Sequence, residues 1–139
     1  MAIPVNELPA VDPDSGRVNV VVDTPQGSRN KYKFDEQHGQ WRLSKVLPQG
    51  MYFPYDFGFI PSTRGEDGDP LDVLLLADEP SFPGCIVPAH LIGVLEAEQT
   101  EGGKTIRNDL SCWPSTAGIA KKVNIAPNPR WPAKTDANA

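Results

Sequence analysis

Gly65-Glu66-Asp67-Gly68-Asp69-Pro70-Leu71-Asp72 crowds four carboxylates into a turn and runs straight into Val73-Leu74-Leu75-Leu76-Ala77. Asp67-Gly68 and Asp69-Pro70 are turn dipeptides, and a branched apolar run of this length reads as a strand buried on both faces. The carboxylates therefore sit at the mouth of a buried strand. Collecting so many like charges costs electrostatic energy, and the usual compensation is a hard divalent cation held through oxygen ligands. Taken alone, an Asp-Gly-Asp run is more often a solvated acidic turn. The rest of the chain reverses those odds.

A chain of 139 residues, 39% of them hydrophobic, suits one globular domain that buries a core without disulfides or structural metal. The two cysteines, Cys85 and Cys112, are preceded by no basic start and long apolar run, so nothing signals secretion or a membrane span, and a reducing cytoplasm is the expected location. A formal charge of −5 and a pI near 4.9 argue against nucleic acid or anionic lipid as the main partner, because both need a basic surface for phosphate contacts. An acidic protein still binds phosphate through a metal.

Residues 1–16 are rich in Pro and Asp and read as an irregular arm. Arg17 to Asp23 carries Val18, Val20, Val21 and Val22 and is stopped by Thr24-Pro25-Gln26-Gly27, which predicts a first strand. Asn30 to Phe34 and Gln40 to Val46 alternate polar and apolar residues around a turn and predict a hairpin. Strict alternation puts Tyr32 and Phe34 on one face and Lys31 and Lys33 on the other. Met51 to Ile60 is the most aromatic stretch, with Pro54 and Gly58 marking an edge or bent strand. Two more apolar strands are expected at Cys85 to Ala89 and His90 to Glu96, and no window before residue 110 holds helical period for three turns. Short strands separated by Gly and Pro favour a small barrel over a parallel sheet with crossover helices.

From residue 110 the character changes. Residues 1–109 hold 9 Lys+Arg against 17 Asp+Glu, or −8, whereas 110–139 hold 4 against 1, or +3. The second segment has four prolines and little apolar pattern, and disorder is the expectation there.

An EF-hand reading of the acidic turn fails. Counted from Asp67, the fifth position is Leu71, the sixth is Asp72 where glycine is required, and the twelfth is Asp78 where glutamate is required. What remains is an acidic cluster near two lysines, Lys31 and Lys45, an arrangement that suits a magnesium-bound phosphate compound; either lysine alone is ordinary surface decoration.

The run Asp67-Gly68-Asp69-Pro70-Leu71-Asp72-Val73 resembles the signature of the soluble, magnesium-dependent inorganic pyrophosphatases. Lys31-Tyr32 with Asp35, Lys45, Phe53-Pro54, Phe57-Gly58-Phe59-Ile60-Pro61, Pro83-Gly84 and Gly93-Val94 extend the likeness over roughly residues 17–109. The resemblance implies an OB-like small barrel, closed or partly open, and hydrolysis of pyrophosphate to two phosphates by a metal-activated water. It implies Asp67 and Asp72 as magnesium ligands, Asp69 as a metal ligand that also orients and deprotonates the water, and Lys31 and Lys45 as phosphate holders. The chemistry agrees, since metals lower the pKa of bound water and neutralise substrate oxygens in an in-line displacement. A homo-oligomer is the family's habit.

Departures stand beside these matches. Phe57 occupies a position where a phosphate-contacting tyrosine is common, with Tyr55 and Asp56 as candidates to compensate, and Lys33 stands where an acidic residue is common. Asp109 is out of register for the later metal-binding aspartate, which stays unassigned. Beyond residue 109 the resemblance expects a strand, a Tyr-Lys pair and covering helices, none of which is legible. A catalytically silent barrel that binds metal or a phosphate ligand is the alternative.

The break at one place predicts a shifted reading frame. Trp113 is TGG and Pro114 begins CC, so the frame starting on the last base of each codon reads Ala there, and Cys112 forces Leu before it, as in an apolar strand following Asn108-Asp109. The nucleotide sequence checks this: family-like residues are expected in that frame downstream, and immediate stop codons overturn the idea.

Overall fold

The computed structural model describes residues 3–65, 68–90, 92–95, 98–107 and 110–114. It is mainly β. Among the described residues three sheets are present and none closes on itself: a six-stranded sheet ordered β6-β1-β4-β5-β10-β7, and the hairpins β2-β3 and β8-β9. The strands are β1 Val18–Thr24, β2 Asn30–Asp35, β3 Gln40–Val46, β4 Asp56–Ile60, β5 Leu71–Leu76, β6 Ile86–Ala89, β7 Gly93–Leu95, β8 Glu98–Glu101, β9 Lys104–Arg107 and β10 Leu110–Pro114. Among the described residues the one helical element is a single 3-10 turn, Val5–Glu7.

β5 is buried on both faces, as its composition predicts. Val73 and Leu75 join Val20, Val22, Ile60, Val87 and Ala89 in one apolar cluster, while Leu74 joins Leu47, Phe53 and Phe57 in another. Alternation along the strand sends successive side chains to opposite faces, so one sheet supports both clusters. Each such side chain withdrawn from water contributes about 1.5–3 kcal/mol before the entropy of ordering is counted.

Three expectations are corrected. Of the two alternatives for β4, an edge or a bent strand, the edge is excluded, since β4 lies between β1 and β5 with Gly58 opposite both Val22 and Val73. The second correction concerns residues 98–107, which no strand was expected to cross. They form a hairpin, its turn made by Gly102 and Gly103 at φ 59° and 80°, the left-handed backbone that tight hairpin turns require. The third falls at the start of the segment expected to be disordered. Leu110–Pro114 forms β10, parallel to β5 with Cys112 opposite Leu74, and antiparallel to β7. A strand therefore stands where the family resemblance called for one and the residues showed none; residues 115–139, and any structure expected of them, lie outside the described residues.

The arm before β1 is fastened along the sheet. Asn19 N donates to Ala10 O at 2.9 Å, Ser62 Oγ donates to Leu8 O at 2.7 Å, and Val11 bridges Val18.

Asp56 also fastens loops. It is 1% exposed, and its carboxylate accepts Gln26 N at 2.7 Å and Ser81 N at 3.1 Å, tying the turn after β1 to the turn before β6. Asp56→Ala removes the carboxylate partner of both part-buried N–H groups and is expected to cost about 1–3 kcal/mol, read from a urea midpoint. An unchanged midpoint removes this role. Burial pushes the Asp56 carboxyl above its ordinary value, so its contribution to stability declines as pH rises from the unfolded value of about 4 through the higher folded one.

Candidate active site

Three separate segments deliver charged side chains to one end of the main sheet. Val20, Val21 and Val22 are fully buried, which carries the next residue, Asp23, to the sheet's end at only 9% exposure. β2 crosses that end, with Tyr32 N donating to Thr24 Oγ1 at 3.2 Å, and it presents Lys31 at 3% exposure and the more exposed Lys33. The acidic turn closes the third side. Gly65 N donates to Asp69 O at 2.7 Å, Gly68 N to Gly65 O at 3.0 Å, and Leu71 N to Thr63 Oγ1 at 3.0 Å. Gly68 adopts φ 85°, a conformation that the residue between Asp67 and Asp69 reaches without strain only as glycine.

These segments enclose an open cavity of about 120 Å³. Lys31, Asp69 and Asp72, all expected from the sequence, line it together. So do Asp23, Lys33, Glu36, Tyr32 and Phe34, and the rings of Phe57 and Phe59 form its apolar wall. All four of residues 31–34 thus reach the cavity, where strict alternation would have split them; the β2-β3 register shifts between Lys31 and Tyr32. Lys45 sits opposite Lys31 in that register but is not part of the lining. Asp67 and Asp109 lie outside the described residues.

The suggested substitutes for a tyrosine at 57 are placed elsewhere. Asp56 is committed to backbone N–H groups, and Tyr55 packs against the cluster of Leu47, Phe53, Phe57 and Leu74. Asp35 belongs to the hairpin. Its pairing with His38 and then Arg42, each at 2.6 Å, holds its carboxyl down at about 2.

Asp23 was not singled out from sequence, although it repeats the pattern of an acid at the end of a buried strand. Burial pushes its carboxyl up to about 8, with Asp72 adding to the rise, and the Thr24 hydrogen bond and Lys31 offset only part of it. Its Oδ1 is buried with no hydrogen-bond partner among the described residues. A buried oxygen in that state, beside Asp72 and Asp69, is donor chemistry that fits a hard divalent cation. The described carboxylates do not complete a shell by themselves: no three acidic, His or Cys side chains among the described residues cluster tightly enough to hold an ion, and Asp67 is not among them.

A family model of inorganic pyrophosphatases matches residues 20–105, which include every lining residue of the cavity except Asn6. The chain belongs to the inorganic pyrophosphatase family. An inorganic pyrophosphatase of Synechocystis is 46% identical over 92 residues, covering 66% of this chain and 54% of the relative. One of Thermus thermophilus is 43% identical over 99 residues, covering 71% and 57%. The crystal structure of inorganic pyrophosphatase from Thermus thermophilus superposes with a TM-score of 0.73 at 35% identity, over 84% of this chain and 64% of that one. The chain spans about half the length of the curated relatives it matches.

Proposed function

We propose that this chain hydrolyses inorganic pyrophosphate to two phosphates with magnesium. The observation that carries the reading is the single cavity in which Lys31 of β2 meets Asp69 and Asp72 of the acidic turn. Membership of the pyrophosphatase family supports the same substrate. Lys31, nearly buried, holds a phosphoryl oxygen from within a low-dielectric wall, where an ammonium attracts an anion more strongly than in water. Lys45, its cross-strand neighbour, approaches the substrate from outside the described lining. Asp72, Asp67 and Asp69 would supply carboxylate oxygens to a bound cation, and Asp69, exposed at the cavity rim, would also accept the proton of the attacking water. Magnesium, when bound, neutralises substrate oxygens and acidifies water. The Phe57 and Phe59 rings exclude bulk solvent from one side.

We place this activity in the cytoplasm, with pyrophosphate as the partner, no nucleic acid or membrane involved, and a family-like homo-oligomer as the assembly to look for. Among the described residues no helix is long and apolar enough to cross a membrane.

Phosphate release from pyrophosphate by the purified chain, with magnesium and then with calcium, tests the reading. Release is expected with magnesium and suppression with calcium, whose larger and looser coordination shell positions ligands differently. Binding of a non-hydrolysable diphosphonate without any release overturns the enzymatic reading and leaves a catalytically silent barrel that binds metal or a phosphate ligand. Neither release nor binding sinks both.

A further inference from the structure

We propose that Lys33 is a further diphosphate-binding residue of this cavity, holding the phosphoryl group distal to the one at Lys31. The inference rests on the pyrophosphate reading above. Lys31 and Lys33 both line the cavity, two residues apart on β2. That separation is about 7 Å along a strand, and each ammonium ends a flexible four-carbon stem, so the pair can engage separate phosphoryl groups of one substrate. Their burial differs in a useful way. Lys31 is 3% exposed and held in place, whereas Lys33 is exposed and able to swing over the cavity mouth.

Charge balance gives Lys33 its weight. The lining carries Glu36, Asp69 and Asp72, besides the buried Asp23, against the two lysines. A polyanion entering such a cavity is repelled unless cations intervene, so each lysine counts. Asp35, one of the two acids of the hairpin, is spent elsewhere: it pairs with Arg42 at 2.6 Å, and Arg42 is the cross-strand neighbour of Lys33. Among the described residues Lys33 forms no salt bridge, and its charge is available to the cavity side.

The same charge must act oppositely on the two ligands. Beside the carboxylates it repels a divalent cation, and beside the phosphoryl group it attracts it. Lys33→Met, which keeps the stem and removes the charge, is therefore expected to weaken methylenediphosphonate binding at saturating magnesium about tenfold. It should also tighten magnesium binding without diphosphonate about twofold to fivefold. Lys33→Arg should restore the diphosphonate affinity to within about threefold of the parent.

Titration calorimetry of the full-length chain and both variants reads all three values. Opposite shifts for the two ligands, with rescue by Arg, establish the role. Parent binding with an unchanged affinity in Lys33→Met makes Lys33 a solvated surface residue and overturns this proposal alone. Parallel weakening of both ligands also overturns it, because it marks general damage to the site. A parent chain that binds no diphosphonate with magnesium overturns the pyrophosphate reading itself, and this inference with it.

Discussion

Asp69→Asn is expected to lower turnover about 100-fold to 10,000-fold, the range associated with loss of a positioned general base, while magnesium affinity changes far less. The structure supports so large a difference because the substitution leaves the turn intact. What closes the turn is backbone, Gly65 N to Asp69 O at 2.7 Å, and an amide of nearly the same volume disturbs neither that bond nor the Gly68 conformation beside it. Asp69 is exposed at the cavity rim, open to solvent on one side and to the cavity on the other. Asp72 offers the contrast. It is half-buried, beside Asp23, and opposite Phe59 in the β4-β5 register, so Asp72→Asn removes an oxygen donor from the inner wall. That change, like Asp67→Asn in the same turn, is expected to weaken magnesium about tenfold or more. Calorimetric magnesium titrations paired with phosphate release separate the roles. Equal losses of turnover and metal affinity in Asp69→Asn reduce it to a ligand, and unchanged magnesium affinity in both Asp67→Asn and Asp72→Asn removes the acidic turn as the metal site.

Gly58→Ala should be the most destabilising single methyl addition along β4. A Cβ there runs into Val21 O and lies 3.0 Å from Val21 C and 3.1 Å from Val22 Cα. All three are backbone atoms, so no side chain can turn aside to make room. Gly58 lies in mid-sheet, paired with Val22 on one side and Val73 on the other, and β1 carries Asp23 immediately afterwards. Pushing β1 away breaks ladder hydrogen bonds and opens the apolar cluster of Val20, Val22 and Val73. Overpacking costs about 1–3 kcal/mol where side chains relax, and a backbone clash belongs at or beyond the top of that range, a large share of a marginal total stability. A urea melt measures it. A loss under about 1 kcal/mol means the strands accommodate the methyl and that the close approach is not required. Cavity function should fall with stability in this variant, because Asp23 is displaced along with its strand.

Local chemistry determined a good part of this protein from sequence alone. The β5 run announced burial on both faces because four consecutive branched or long apolar residues have no polar side to offer water. The β2-β3 hairpin followed from alternation around a turn, and the acidic turn before β5 from Asp-Gly and Asp-Pro dipeptides. The β8-β9 hairpin has only Gly102-Gly103 as its signal, since flanks such as Glu98-Gln99-Thr100-Glu101 carry no apolar alternation. Tertiary structure alone decided the rest. That Asp23 is the cavity's buried carboxyl depends on β2 crossing the end of β1 and on Asp72 arriving from β5, contacts that join distant parts of the chain. That Asp56 fastens two turns and never reaches the cavity depends on where residues 26 and 81 come to rest. Leu110–Pro114 is a strand because β5 and β7 pair with its backbone on either side, whatever the helical or strand preference of Ser111 and Pro114. Periodicity and turn residues are set by neighbours in sequence. The ionisation of a carboxyl, the centrality of a strand and the membership of a cavity are set by neighbours in space, which no short window of sequence contains.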